Sequence, residues 1–330
     1  MRAALVIVAC LASGLALAAA TGGSGAPATL DDCDALVRES PNDLASYQCH
    51  WFLGRNQTKL EESAGRLEAI LTENPANHRA RLYLGIIAAD LGQSRTEGLL
   101  REAALNLAAE GETRGEVYSR ITLSMWLRRQ GRNQEASAEL DQALEAATAS
   151  GDAEIEAQVR INLGWQRYNP REYGRAWEIL RQAESLLFPD GPERLRLDAL
   201  EALAAVSWAL GRNRAALDYY QREIDLLRGG DPYRESGIRR NMALVARGLG
   251  EEGIPAAEID RLYRDAVDAA VRAKNRYAEA GARLMLASSI EGPDGLGEAR
   301  KGLAVAREVG QVANICWGLW LVGEKTLKLK

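Results

Sequence analysis

The stretch that decides the fold is QGRNQEASAELDQALEAATASGD, residues 130–152, in which two glycines enclose a segment free of glycine and proline. Gly131 and Gly151 lie 20 residues apart. Between them, Ala136, Leu140 and the pair Ala143-Leu144 recur at spacings of three and four residues, as on one face of an α-helix. At 1.5 Å per residue, such a helix is about 25 Å long. The stretch therefore predicts one amphipathic helix with a glycine at each end.

Glycines recur at similar intervals on both sides of this stretch. One series, in which an acidic residue adjoins each glycine, has spacings of 40, 40 and 39 residues, and a second series falls about halfway between its members. We expect a glycine in the left-handed conformation to end a helix at each position, so that a turn occurs about every 20 residues. The two series comprise Gly111, Gly151, Gly191 and Gly230, and Gly54, Gly92, Gly131, Gly211 and Gly250, with NPREYG near residue 171 in place of a missing member. Pairs of helices should form hairpins that stack into a solenoid.

Small residues recur at fixed places in these pairs, where two helices must approach closely. Examples are Ala136, Ala176 and Ala216 on second helices, and the glycines of YLG (residues 83–85) and NLG (residues 162–164) on first helices. With its 38- to 40-residue period, the chain resembles the tetratricopeptide repeat (TPR), whose usual period is 34 residues, over residues 42 to about 310 in some seven units. The resemblance implies an all-α fold, an α-α superhelix of antiparallel helix pairs; another helical-pair solenoid is the alternative.

The same resemblance indicates where a ligand would bind. In TPR proteins the first helices line a groove that holds a peptide or protein, and an asparagine before a recurring leucine contacts the ligand backbone. Asn162 and Asn241 match that position. Flanking arginines could pair with a ligand carboxylate; they are Arg160, Arg167, Arg239 and Arg240. The alternative is that all of these are ordinary exposed helix residues.

The N-terminus has the pattern of a secretory signal peptide. Arg2 precedes an apolar stretch that ends in Ala18-Ala19-Ala20, so we expect residues 1–20 to be removed and residues 21–30 to form a flexible leader. A lipid anchor on Cys10 is the alternative. No later segment is long and apolar enough to span a bilayer. These features predict a bacterial protein exported to the periplasm or secreted.

Cys33 and Cys49 each lie eight residues from Pro41, which separates two short predicted helices. Residues equidistant from the turn of a helical hairpin face each other, and export provides an oxidising compartment. We therefore expect a disulfide between them, with two unpaired core cysteines as the alternative. Cys316 is expected to be a small buried residue.

The last segment, residues 311–330, is predicted to be a helix that is apolar on nearly every side between Val312 and Val322. Terminal repeats usually have a polar outer face. This helix is expected either to be buried as a cap or to dock a partner, a further domain or a second copy of the chain. Four tryptophans at helical-pair positions are expected in the core, namely Trp126, Trp165, Trp177 and Trp208.

No motif for enzyme chemistry, a cofactor or a metal is evident, and the two histidines, His50 and His78, belong to no ligand pattern. The net charge of −5 argues against a nucleic-acid binder. The sequence favours a non-enzymatic exported scaffold that binds a peptide or protein. Alternatives are a regulatory module of a larger system, such as the partner of a CHAT-type protease, and a TPR transcriptional regulator, against which the signal peptide counts.

Overall fold

The computed structural model describes residues 27–168, 171–249 and 253–329, and this part of the chain contains sixteen α-helices and no strand. In chain order the helices are α1 Leu30–Glu39, α2 Leu44–Asn56, α3 Leu60–Glu73, α4 His78–Asp90, α5 Thr96–Ala109, α6 Thr113–Arg129, α7 Asn133–Ser150, α8 Ala153–Tyr168, α9 Tyr173–Leu187, α10 Glu193–Ala209, α11 Asn213–Leu227, α12 Pro232–Arg247, α13 Ala256–Arg272, α14 Arg276–Ser289, α15 Gly292–Glu308 and α16 Val312–Lys328.

Successive helices pair as hairpins, which confirms the predicted all-α architecture. We call the first helix of each pair the A helix (α2, α4, α6, α8, α10, α12 and α14) and the second the B helix (α3, α5, α7, α9, α11, α13 and α15). The chain divides into two compact units, residues 1–196 (unit 1) and 197–330 (unit 2), and the boundary falls within α10. Each unit is described by itself below.

Glycines end helices at some of the predicted positions and not at others. The left-handed conformation is found at Gly92, Gly111, Gly131, Gly151 and Gly211, with φ between +70° and +78°. Near the missing member of the series, Arg171 takes that conformation instead, at φ 66°. The prediction was wrong for three glycines that lack positive φ, namely Gly54, Gly191 and Gly230, while Gly250 lies outside the described residues.

Close helix approach explains several of the other glycines. A Cβ on Gly164 would lie 2.5 Å from Leu180, and one on Gly85 would lie 2.7 Å from Leu100. These contacts confirm that the glycines of NLG and YLG let A and B helices pack closely. Gly54 has the same role, because it lies inside α2 and its Cβ would clash with the side chain of Ser63 on α3.

The cores are built mainly from leucine, isoleucine, valine and alanine between neighbouring helices, with Tyr47, Trp51 and Tyr83 buried among them in unit 1. In unit 1, one cluster joins α2 to α7 around Leu82, Ile87 and Leu100, and a second joins α6 to α8 around Val117 and Val159. The expectation for the tryptophans was wrong for Trp208, which is 40% exposed. Trp126, Trp165 and Trp177 are half-buried.

At the N-terminal end of unit 1, Thr29 caps α1 through its side chain, so the helix begins at Leu30, inside the segment predicted as flexible. Residues 1–26, which include Cys10 and the predicted signal peptide, lie outside the described residues. A disulfide joins Cys33 on α1 to Cys49 on α2, with a Cα–Cα distance of 5.5 Å. Both cysteines are fully buried, and the predicted hairpin geometry is present.

At the C-terminal end of unit 2, α16 packs one side against α14 and α15 and leaves the other side uncovered. Gly318 and Leu321 are buried, whereas Leu319 and Trp320 are 49% and 60% exposed. Cys316 is also exposed, so the expectation of a buried residue was wrong. Of the helices in the described residues, none is long and apolar enough to cross a membrane.

Candidate functional site

Three successive A helices of unit 1 line a recess rich in aromatic side chains. We call it the aromatic recess, and it is formed by Gln48 and Trp51 on α2, Tyr83 and Ile86 on α4, Tyr118 on α6 and Arg194 on α10. It is a small recess that is partly open to solvent. Tyr83 and Tyr118 each lie six residues after the residue that precedes their helix, Asn77 and Glu112. The repeat therefore brings equivalent residues side by side.

Hydrogen bonding and burial fix the orientation and the protonation state of the polar groups in the aromatic recess. The indole Nε1 of Trp51 donates a hydrogen bond to Asp90 Oδ2 at 2.8 Å, which fixes the ring. Burial raises the pKa of the Tyr83 phenol well above its ordinary value. Burial also raises the pKa of Tyr118, although the nearby Arg114 and Arg194 act in the opposite direction. Both phenols therefore stay protonated at neutral pH and can donate a hydrogen bond.

Arg194 supplies positive charge beside these aromatic rings. One of its Nη atoms donates a hydrogen bond to Gln158 Oε1 at 3.0 Å, which orients the guanidinium. Trp51 and Tyr83 are almost fully buried, so a ligand would meet this recess at the half-buried Gln48, Tyr118 and Arg194. An edge of a tyrosine ring, an amide and a guanidinium can together contact a peptide backbone or a carboxylate.

A second recess in unit 1 includes Asn162, one of the residues expected to contact a ligand. We call it the asparagine recess; it is small and is lined by Ser124, Met125, Arg128, Leu140, Asn162, Trp165 and Gln166. Asn162 is 9% exposed, and its Nδ2 donates to the Gln158 carbonyl oxygen at 2.8 Å. This bond turns the Nδ2 atom of the Asn162 side chain towards the backbone of α8. Burial and the neighbouring Arg129 lower the pKa of the Arg128 guanidinium.

Most of the predicted arginines contact side chains of the chain itself. Arg160 donates to Glu156 Oε1 and to Gln182 Oε1, at 2.8 and 2.5 Å. Arg167 lies 3.7 Å from Glu172 Oε2. These contacts hold the side chains along and between helices, and the ligand-binding role of both arginines stays a prediction.

The remaining predicted residues lie on α12 in unit 2. Arg239 bonds Glu235 and Asp265, at 2.7 and 3.1 Å. Asn241 and Arg240 are half-buried, and burial lowers the pKa of the Arg240 guanidinium. The Nε atom of Arg240 is buried without a hydrogen-bond partner. Asn162 lies in unit 1 and Asn241 lies in unit 2.

Unit 2 also contains a buried charged cluster centred on Arg234. Its guanidinium contacts three carboxylates, Glu223 at 2.9 Å, Asp198 at 3.0 Å and Glu201 at 3.2 Å. Burial, together with the neighbouring Glu201, raises the pKa of Glu223 to about 8. Within the described ranges, no group of three or more histidine, cysteine, aspartate or glutamate side chains is arranged to hold a metal ion.

Comparison with known proteins places the fold. No family model and no curated protein matches the chain. Among solved structures, the apo form of the quorum sensor NprR from B. thuringiensis superposes with a TM-score of 0.60 at 15% identity, over 86% of this chain and 81% of that one. The fold is the tetratricopeptide-repeat fold. At this identity the likeness establishes the fold alone.

Two further structures share this TPR fold. The Rap protein complexed with competence and sporulation factor has a TM-score of 0.55 at 15% identity, over 89% of this chain and 79% of that one. The STAND protein with a tetratricopeptide repeat sensor from Pyrococcus horikoshii has a TM-score of 0.59 at 13% identity, over 86% of this chain. The chain spans 45% of that STAND protein, and also 45% of a matching chain of the Cut9–Hcn1 hetero-tetramer.

The aromatic recess was missed from the sequence, although a signal was present. Tyr83 in YLG and Tyr118 in VYS are separated by 35 residues, close to one repeat. Their common position could have indicated a shared face of two A helices. The contribution of Arg194 could not be found this way, because it depends on how A helices distant in sequence approach each other.

Proposed function

We propose that this chain is a non-enzymatic, exported scaffold that binds a peptide or an extended protein segment on the A helices of unit 1. The observation that carries the proposal is the aromatic recess, where Trp51, Tyr83 and Tyr118 from three successive A helices meet a cation, Arg194. Aromatic rings and arginine are the side chains that most often dominate the energy of protein interfaces.

Three further observations support the proposal. The asparagine recess gives the same unit a second binding pocket, with an amide and a guanidinium in its wall. The similar Rap structure holds competence and sporulation factor. For export, the support is the signal-peptide pattern of residues 1–20 and the buried disulfide.

The test starts from a random peptide library displayed on phage, selected against the purified chain. Peptides that bind are synthesised, and their affinities for the wild type and for Tyr118→Ala are measured by calorimetry. We expect the substitution to weaken binding by about tenfold to a hundredfold, as for a buried aromatic contact. The matched control is Tyr233→Ala, which removes a tyrosine that is 66% exposed on α12 in unit 2 and should leave affinity unchanged.

Two outcomes would overturn the proposal. One is a selected peptide whose affinity is the same for wild type and Tyr118→Ala while both proteins melt at the same temperature. The other is a selection that enriches no peptide. If Tyr118→Ala melts several degrees lower, Gln48→Ala serves as the second variant, because the half-buried Gln48 lines the same recess.

A second candidate is the regulatory module of a larger system, supported by the similarity to the STAND protein with its tetratricopeptide repeat sensor. On this hypothesis the aromatic recess receives a segment of a folded partner. The two hypotheses predict different ligands. A scaffold binds a free peptide with full affinity, whereas a regulatory module reaches full affinity only with a larger folded protein.

A further inference from the structure

One face of α16 presents a continuous apolar stripe to solvent. We call it the α16 stripe, and it consists of Val312, Cys316, Leu319, Trp320, Gly323 and Leu327. Its large members are exposed by 49% to 73%. The intervals of three and four residues place all six on one side of the helix over roughly four turns. The stripe contains no charged residue.

Comparison with α14 shows what kind of element normally covers this face. Counted from the residue before each helix, Asn275 and Gln311, the fifth, ninth and twelfth positions are Ala280, Leu284 and Ala287 on α14. Those three residues are fully buried. Ala280 packs with Val305 and Ala306 of α15, the B helix of the same pair. Leu284 and Ala287 pack with Ala299 of α15 and also with Leu321 of α16.

The same positions on α16 are Cys316, Trp320 and Gly323, and all three are exposed. The α16 stripe is therefore the surface that a B helix covers elsewhere in the stack. Within the described residues this face is exposed to solvent.

The stripe is complementary to a second copy of itself. Suppose that two α16 helices pack antiparallel about a two-fold axis between residues 319 and 320. Each residue then faces the residue of the other copy that lies equally far from the axis on the opposite side. Val312 then faces Leu327 of the other copy, and Leu319 faces Trp320. Cys316 faces Gly323, so the small residues meet each other and allow close helix approach.

The size of the patch is appropriate for association. Four large side chains exposed by 49–73% leave on the order of a few hundred Å² of contiguous apolar surface, and a patch of that size on a soluble protein is often functional. The stripe supplies a large part of the ~800 Å² that each partner buries in a standard interface.

We propose that the chain forms a two-fold symmetric dimer in which the α16 stripes of two copies pack antiparallel. The occupant of the stripe is a second copy, because α16 is the helix in the described chain with an uncovered apolar face of matching length and residue sizes. This inference does not depend on the peptide-binding function of unit 1.

The test is the mass of the purified full chain in size-exclusion chromatography with light scattering, at tens of micromolar. We expect twice the chain mass for the wild type and the single mass for Trp320→Glu, with dimer affinity weakened at least about 30-fold, as for a central tryptophan. The matched control is Trp208→Glu, which places the same charge at an exposed tryptophan of α10 and should remain dimeric. Equal melting temperatures of the variants show that both are folded.

Cys316 provides a second measurement of the arrangement. Because Cys316 faces Gly323 in the packed interface, dimerisation should protect its thiol from alkylation. A maleimide should label position 316 slowly in the wild-type dimer and rapidly in Trp320→Glu, and Cys316→Ser identifies the labelled site; equally fast labelling of wild type and Trp320→Glu would contradict the arrangement.

The proposal is overturned by a monomeric wild type, which would leave the stripe to a helix of a different protein. It is also overturned by a Trp320→Glu variant that stays dimeric, or by wild-type masses that grow beyond the dimer, since a closed two-fold interface stops at two copies.

Discussion

Unit 1 and unit 2 are built from the same kind of helix pair, yet they differ in how their terminal helices are covered. At the start of unit 1, the disulfide fixes α1 on α2, and exposed Asp31 and Asp32 make its outer surface polar. At the end of unit 2, α16 keeps an apolar outer face. The outer face of a repeat stack is usually polar, so α1 follows that pattern and α16 departs from it.

The units also differ in the ionisable group that each buries. Unit 1 contains His50, fully buried, with Asp34 Oδ1 3.4 Å from its Nε2 atom. Unit 2 contains Glu223, fully buried beside Arg234. Burial disfavours the charged form of either group, which makes a histidine a weaker base and a glutamate a weaker acid. The two units should therefore respond to pH in opposite directions.

The largest effect is expected from removing the covalent link. Cys33→Ala with Cys49→Ala opens a loop of 16 residues and should lower the free energy of unfolding of the N-terminal helices by about 3 kcal/mol. Hydrogen exchange of the α1 and α2 amides in increasing urea measures this local stability. Cys316→Ser is the matched control and should leave those amides unchanged. Equal protection in the double variant and the wild type would mean that packing alone holds α1.

A smaller effect is expected from Glu223 in unit 2. The pKa of Glu223, about 8, lies above the 4.5 of an unburied glutamate. The folded state thus holds a proton that the unfolded state releases, and the resulting stability is lost as pH rises through about 8. Glu223→Gln mimics the protonated form and should stabilise unit 2 by on the order of 2 kcal/mol at pH 9 relative to wild type. Urea midpoints of the α11 and α12 amides measure it.

Glu258→Gln, on the exposed start of α13, is the control for this substitution. It should leave the pH dependence as in the wild type. A wild-type unit 2 that is equally stable at pH 6 and pH 9 would show that Arg234 keeps Glu223 ionised, and the contrast between the units would then be lost.

The smallest effect is expected from His50 in unit 1. Burial lowers the pKa of His50, with the neighbouring Arg66 adding to that effect and Asp34 opposing it. Because the folded pKa is below that of the unfolded chain, the stability from neutral His50 is present above pH ~6.5 and is lost as pH falls through the folded pKa. His50→Leu should reduce the loss of stability between pH 7 and pH 5, seen in the urea midpoints of the α1–α3 amides at the two pH values. An unchanged pH dependence in the variant would assign the sensitivity to another group.

The fold could be predicted because the repeat appears in the sequence as glycine spacing and as small residues at helix crossings. Gly85 and Gly164 lie where two helices touch, and the hairpin around Pro41 placed Cys33 opposite Cys49. Individual glycines could not be assigned, since Gly54 and Gly92 occur in similar sequence contexts and yet one lies inside a helix and the other ends one.

The candidate site was less predictable for a physical reason. A family pattern identified Asn162, which does lie in a recess, but it could not show that Arg160 is held by Glu156 and Gln182. Nor could it show the exposure of Cys316 and Trp320, because the pattern of an apolar helix is the same whether or not another helix covers it.

The most direct test of the central claim, that the A helices of unit 1 bind a peptide, is site-specific photo-crosslinking. A benzophenone amino acid replaces Gln48, which lines the aromatic recess, or Arg175, which is 74% exposed on the B helix α9. With a library-selected peptide present, we predict a covalent peptide adduct from position 48 and none from position 175. Adducts of equal yield at both positions, or at position 175 alone, would contradict the assignment of the binding face.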